Sequence, residues 1–331
     1  VAVWRARAAR QLSDADMATV NLQLSLQVAG LWAEAQAAQA VVAALEQSRD
    51  IHSRLQDMVQ RRVSGGASAV ADAELARARL QLVESDLQGA AARRDSALER
   101  IRSISGDERY EPRKAGSGDY PQSIAEARVS ALLESALLLS PFVARARLQV
   151  DVAEADVRLA RAAASPEVFI RAESQRGSFE ANDESTRNRL VLGVTSTLGA
   201  GLSSLSVIEE ARARAEAARE DVRVQELAVT EQIRGDAVLL QSARVRQASL
   251  EQSRQSAADV LASSERLFIA GRRPWQDIMN AARDLAQTDS QIADAAGTEL
   301  AAGWRLALLV HGVDAVLASH TSQPSRHAGG G

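Results

Sequence analysis

The chain has 331 residues, 46% of them hydrophobic but only 3% aromatic, a formal net charge of -4 and no cysteine. An apolar share dominated by alanine, leucine and valine suits thin seams between helices rather than a thick layered core. Interspersed arginine and glutamate exclude the basic stripe of a nucleic-acid binder, and the missing cysteine excludes disulfides, thiolate metal sites and a cysteine nucleophile.

From Met17 to about Arg62 there is no proline, and Gly30 is the only glycine. Leu24, Val28, Leu31, Ala35, Ala38, Val42 and Leu45 step by four and three, the spacing of a coiled-coil seam. A single helix of ~60 residues would be about 90 Å long, more than a globular domain needs. No window in it, or elsewhere, is expected to reach the ~18 apolar residues of a membrane-spanning helix. The opening "AVWRARAARQLSDADMATV" reads as helix and lacks a leader's cleavage pattern.

After the corner "RRVSGGASAVAD", Ala76, Leu80, Val83, Leu87 and Ala90 resume the seam. Residues 1–105 therefore form a first helical hairpin with its tip at about 62–74. The glycine, proline and charge of 106–122 make a linker. Helices return over 123–165, restarting at Ser140-Pro141.

Residues 166–206 change period. Val168, Ile170 and Ala172 oppose Phe169, Arg171 and Glu173, while Leu190, Leu192, Val194 and Leu198 oppose Arg189, Gly193, Thr195 and Thr197. Alternation by two predicts a strand pair joined by an exposed turn at 177–188. A second helical hairpin follows over 207–310, its opening seam at Ile208, Ala211, Ala215, Ala218 and Val222, its tip at about 268–277. The tail 311–331 reads as disordered.

A shift of 205 residues superimposes the two tips without a gap: Arg61 on Arg266, Gly66 on Gly271, Asp72 on Asp277, Ala76 on Ala281 and Leu80 on Leu285. Glycine reverses the chain, and each aspartate stands near a helix start, where the dipole favours it. Helix starting by itself could explain both aspartates.

Two hairpins with tips of this kind and a strand pair resemble the outer-membrane efflux protein family, the TolC-like ducts of Gram-negative bacteria. The resemblance rests on "GASAVADAELARA" (66–78), "AGRRPWQDIMNAARDL" (270–285), "SPFVARARLQVDVAEADVRLARAAASPEV" (140–168) and "LVLGVTSTLGAGLSSLSVIEEARARAEAARED" (190–221). It implies a mainly α fold with a small β part: long antiparallel helical hairpins forming an α-barrel tunnel, and a β-hairpin contributing to a trimeric transmembrane β-barrel. The implied partners of the homotrimer are outer-membrane lipid, a periplasmic adaptor (membrane fusion) protein and an inner-membrane ABC or proton-driven pump. The implied location is the outer membrane with a periplasmic tunnel. A complete member carries another strand pair before its first hairpin, so roughly 100 residues including the export signal are expected ahead of Val1.

The resemblance also implies a periplasmic gate at the tips, carried onto Asp72, Phe268, Arg273, Asp277 and Asn280, and an adaptor-docking surface at Gly65, Gly66, Gly271, Arg272 and Trp275. Phe268 stands where the best-known member has a hydrogen-bonding tyrosine, Asn280 replaces an acid and Ala71 a threonine, so a weaker gate is expected. Arg273 is expected to pair with Asp72, and Asp277 to join a threefold carboxylate ring. Trp275 either anchors the adaptor or packs inside its own hairpin. The form of the second tip looks more like the type I secretion branch, which exports toxins or adhesins, than the multidrug efflux branch.

Other chemistry is thin. His52, His311, His320 and His327 show no metal spacing, and no nucleotide loop or hydrolase elbow is present. The reading has no enzyme, metal or cofactor. Its rivals are a soluble coiled-coil scaffold or periplasmic adaptor, which would not need the alternating strands, a helical receptor domain, and a four-helix-bundle metal enzyme, whose Glu-x-x-His signature is missing.

Overall fold

The computed structural model describes residues 2–116, 118–176, 186–195 and 203–321. In chain order these form α1 (Ala2–Ser64), α2 (Val70–Ser105), α3 (Gln122–Glu126), α4 (Val129–Leu139), α5 (Pro141–Ala163), β1 (Glu167–Arg176), β2 (Thr186–Thr195), α6 (Ser203–Ile269), α7 (Trp275–His311) and α8 (Val313–Thr321). The chain divides into two compact units, one of residues 1–19 and 141–227, the other of 20–140 and 228–331.

In the first unit, α5 and α6 share a seam of Val157, Ala211 and Ala215, flanked by Ala153 and Ala160. Small side chains let the backbones approach, and charge pairs line the rim. Arg147 reaches Glu226 at 2.9 Å, Arg219 reaches Glu154 at 2.8 Å, and Arg5 of α1 meets Asp156 at 2.5 Å. Exposed pairs of this kind contribute about 0–1 kcal/mol each; the seam does the packing.

β1 and β2 pair antiparallel, with Val168 opposite Val194, Ile170 opposite Leu192 and Ala172 opposite Leu190. The alternation read from the sequence is therefore in register across the pair. β2 begins at Thr186, so three residues expected in the turn belong to the strand. Leu198 and the remaining turn residues 177–185 lie outside the described residues.

In the second unit, α6 keeps a heptad spacing. Val229, Ile233, Leu240, Ala243, Leu261 and Phe268 are buried, and Asp236, Gln247, Arg254 and Ser264 fall on the same seam at steps of three and four. That period imposes a left-handed supercoil. Each polar seam residue meets a partner on or leading into α7: Asp236 with Arg305 at 2.6 Å, Gln247 with Glu299 at 2.9 Å, Arg254 with Asp289 at 2.6 Å, Ser264 with Arg273 at 3.1 Å. Alanine-rich helices can slide past one another, and polar rungs in an apolar seam fix the register.

On α1, Leu31, Ala35, Ala38 and Val42 are buried as their spacing predicts, but Leu24 is 42% exposed. Val41, Val42, Ala90 and Ala293 close a core shared by α1, α2 and α7. An 18-residue window within α1 reaches a mean hydropathy of 1.3, enough by length and composition to cross a membrane, against expectation. Alanine supplies that apolar character, and a third of the window is buried inside the chain.

The linker 107–121 is not slack. Gln36 donates to the Arg113 carbonyl at 2.8 Å and accepts from the Ala115 N–H at 3.1 Å, and the Trp304 indole donates to the Asp119 carbonyl at 2.8 Å. Tyr120 donates to the buried Glu299 at 2.8 Å and accepts from Arg244 at 2.9 Å. Burial, then the Glu299 hydrogen bond, pushes the phenol up to about 12. The expected tail is also corrected: α8 is helical to Thr321, and 322–331 lie outside the described residues.

His52 packs in α1 at 2% exposure, its Nδ1–H donating to the Ser48 carbonyl at 2.8 Å. Burial, assisted by the Arg79 charge, holds its pKa below the ordinary value. The unfolded chain accepts a proton at about pH 6.5 while the fold resists it, so stability falls as pH drops below that value, until the folded imidazole also titrates. Thermal midpoints should fall between about pH 7.5 and 5.5, and His52→Gln should flatten that part of the slope. An unchanged slope in the variant would contradict the assignment.

Candidate functional site

Both tips, in the second unit, are built from the same hydrogen bonds. In the first, the Gly66 N–H donates to Val63 at 3.0 Å and the Ala67 N–H to Arg62 at 2.8 Å; in the second, Gly271 donates to Phe268 at 2.9 Å and Arg272 to Leu267 at 2.8 Å. These are the two bonds of a Schellman motif, reproduced at the 205-residue offset. Gly66 and Gly271 take φ of 71° and 68°, left-handed values that L side chains resist. Neither has an atom within 4 Å of where a Cβ would stand, so the cost of alanine is backbone strain alone. Gly66→Ala and Gly271→Ala should each destabilise the unit by about 1 kcal/mol, measured by denaturant unfolding, with asparagine tolerated better.

The aspartates of the repeat differ in use. Asp72 accepts the Ala69 N–H at 3.3 Å and receives the Gln276 amide at 3.4 Å. At the matching position of the second tip stands Pro274, which has no N–H. Asp277 is left to lie 3.8 Å from Arg273 within its own tip. The expected Arg273–Asp72 pair is not made within the chain: Arg273 instead donates to Ser264, and Gln276 takes the cross-tip role. Asn280 is exposed beyond them.

Between the tips lies an apolar core. Leu55, Val59, Ala73, Ala76, Phe268, Trp275, Ile278, Met279 and Ala282 are all buried in one cluster. Phe268 is only 5% exposed, and the Arg62 guanidinium sits 5.0 Å from its ring centre. The side chain expected to weaken the tip contact is thus a packing element of it. Trp275 is also 5% exposed, its indole N–H without a partner among the described residues; it packs inside the tip core and is withdrawn from the docking surface. Gly65, Gly66, Gly271 and Arg272 are exposed. Arg62 and Gln276 were not among the residues carried over from the resemblance, and no local sequence signal marks either.

The hairpin of the first unit presents two unlike faces. Val168, Ile170, Leu190, Leu192 and Val194 are 66–75% exposed on one side. On the other, Phe169 lies over Gly193, so close that a Cβ there would stand 2.5 Å from its ring, with Arg171 stacked 5.4 Å from that ring and 3.7 Å from Glu173. Ten residues per strand rise about 33 Å, and a tilt of about 40° makes that about 25 Å, the height of an outer-membrane barrel's apolar band.

Among the described residues no group of three acidic or imidazole side chains is placed to hold a metal ion. Residues 132–310, more than half of the chain, match the family described as outer membrane efflux protein. No curated protein sequence matches. Among solved structures, the outer-membrane channel OprN aligns over 93% of this chain and 70% of its own, at 17% identity and a TM-score of 0.82. The outer membrane protein VceC of Vibrio cholerae aligns over 93% and 74%, at 16% and 0.82, and the CmeC outer membrane channel of Campylobacter jejuni over 93% and 66%, at 13% and 0.80. At these identities the structures establish likeness of fold, and the family match adds descent. Paired helical tips, an amphipathic strand pair and that match lead to one conclusion: the chain belongs to the outer membrane efflux protein family.

Proposed function

We propose that this chain is the outer-membrane duct of a tripartite export system, a homotrimer that receives substrate from an inner-membrane pump through a periplasmic adaptor. The observation that carries the reading is the hairpin's apolar face. Five large apolar side chains at 66–75% exposure have no place in water, whereas lipid outside and a polar lumen inside suit both faces. Open strand edges cannot persist in lipid, so the pair requires further strands on both edges, from copies of the chain and from the second strand pair that a complete member carries. A soluble scaffold or adaptor leaves that face unexplained.

The helical tips, held as one packed block, serve as the inner end of the duct. Asp277, freed from helix capping by Pro274, is the carboxylate available to a ring at the axis. The finer reading is type I secretion of a toxin or adhesin, supported by the second tip "AGRRPWQDIMNAARDL". It is tested by supplying the chain to cells lacking their own duct. Restored protein export without restored drug resistance supports secretion, the reverse supports multidrug efflux, and neither outcome counts against the duct itself.

A further inference from the structure

On the polar face of the strand pair, an aromatic ring stands straight across from a glycine. Phe169 and Gly193 are partners in the register, on the side away from Val168, Ile170, Leu190, Leu192 and Val194. Glycine weakens a strand unless its backbone or its surroundings call for it. Gly193 is not among the glycines of positive φ, so its backbone conformation is open to other residues. Space is what calls for it: a Cβ there would stand 2.5, 2.8 and 3.1 Å from three atoms of the Phe169 ring. The ring lies down across the neighbouring strand.

Arg171, two residues along β1 on the same face, lies over that ring, its guanidinium carbon 5.4 Å from the ring centre and a guanidinium nitrogen 3.7 Å from Glu173. Phe169 is thereby half-buried, while the large apolar side chains of the opposite face stand 66–75% exposed. Glu167, Glu173, Arg171, Arg187 and Arg189 share these alternate positions, so the face is mixed in charge and suits water. Side chains on a strand ordinarily stand perpendicular to the sheet. On the inner wall of a barrel an upright ring projects into the bore, and a glycine across the pair is what lets it lie flat.

We propose that Gly193 sets the width of the duct's bore: it seats Phe169 flat against the wall under Arg171, so that each copy turns a guanidinium to the water in place of a phenyl ring, and bulky solutes pass. The proposal rests on the duct reading and deepens it, naming the residue that decides what size of solute the barrel admits. Small barrels are filled by their own side chains and large ones hold a water channel, so one ring from each copy narrows a barrel in between.

Single-channel conductance of the full-length protein in planar bilayers tests it, with polyethylene glycols of graded size added to measure the bore by exclusion. In Gly193→Ala the methyl group displaces the far end of a side chain rather than backbone, so the barrel should still assemble. Its conductance step should fall about twofold and the polymer cutoff should move to smaller sizes. Phe169→Ala should raise the step far more on the Gly193→Ala background than on the native one, the non-additivity of two groups in contact. An unchanged step or cutoff in Gly193→Ala overturns the proposal, as do equal rises on the two backgrounds. If Gly193→Ala does not assemble, the double variant with Phe169→Ala decides: assembly with the native cutoff supports the proposal, and failed assembly or a narrowed cutoff overturns it. A native protein that gives no conductance counts against the duct; a conducting native protein with any overturning result counts against Gly193 alone.

Discussion

Trp275→Ala is expected to loosen the paired tips by about 3–5 kcal/mol, the cost of removing a buried aromatic that its neighbours cannot refill. Phe268, Ile278 and Met279 surround the vacated space in the same cluster, and all are anchored by helices that cannot collapse inward. Trp275→Phe should cost under about 1.5 kcal/mol, because it keeps most of the ring and removes an indole N–H that has no partner. Amide hydrogen exchange over 61–72 and 266–277 reads the effect locally, where a global melt would dilute it. Protection that survives the alanine substitution would mean the tips are held by their polar contacts. Among the described residues one polar bond crosses between the tips, Gln276 to Asp72 at 3.4 Å, worth ~1 kcal/mol; the apolar core outweighs it. Separating the tips of one copy is thus costly, and rearrangement at this end is expected between copies.

The second large effect is expected in the strand pair. Ile170 and Leu192 face each other across the pair on the apolar face, so Ile170→Arg with Leu192→Arg places two charges opposite one another as well as in hydrocarbon. Each should cost about 2–4 kcal/mol near the bilayer midplane, and their repulsion adds to it. The double variant should vanish from the outer-membrane fraction. Arg171→Ala with Glu173→Ala, on the opposite face, should insert normally and alter conductance instead. If both doubles insert equally well, the face assignment is wrong.

How much of this was legible beforehand depended on whether the signal was local. The reversals were, because Schellman geometry needs glycine at one place and a fixed hydrogen-bond span around it, and both recur at the same offset. The strand faces were, because both strands alternate by two and only a register that brings the two apolar sets onto one face keeps them together. Partnerships across the fold were not. Tyr120, Arg244 and Glu299 lie far apart in the chain and carry no motif, yet the half-buried Arg244 joins the buried Tyr120 and Glu299 in one hydrogen-bonded cluster. Trp275 illustrates a different limit: beside Pro274 at a reversal, docking and packing inside the hairpin were both open to it, and proline set it as the first residue of α7, on the face turned to the core. Phe268 was read by what it lacked, a hydroxyl, when its contribution is the ring that Arg62 covers. α8 was missed because a nine-residue helix has too few turns to show a period.

The central claim is that copies of this chain close a barrel in lipid and conduct through it. The most direct measurement is reconstitution of the purified protein into planar bilayers, with its mass determined in the same detergent. The account predicts a trimer giving discrete, long-lived conductance steps, with Asp277→Ala weakening block by multivalent cations. A monomer that leaves the bilayer silent would contradict it.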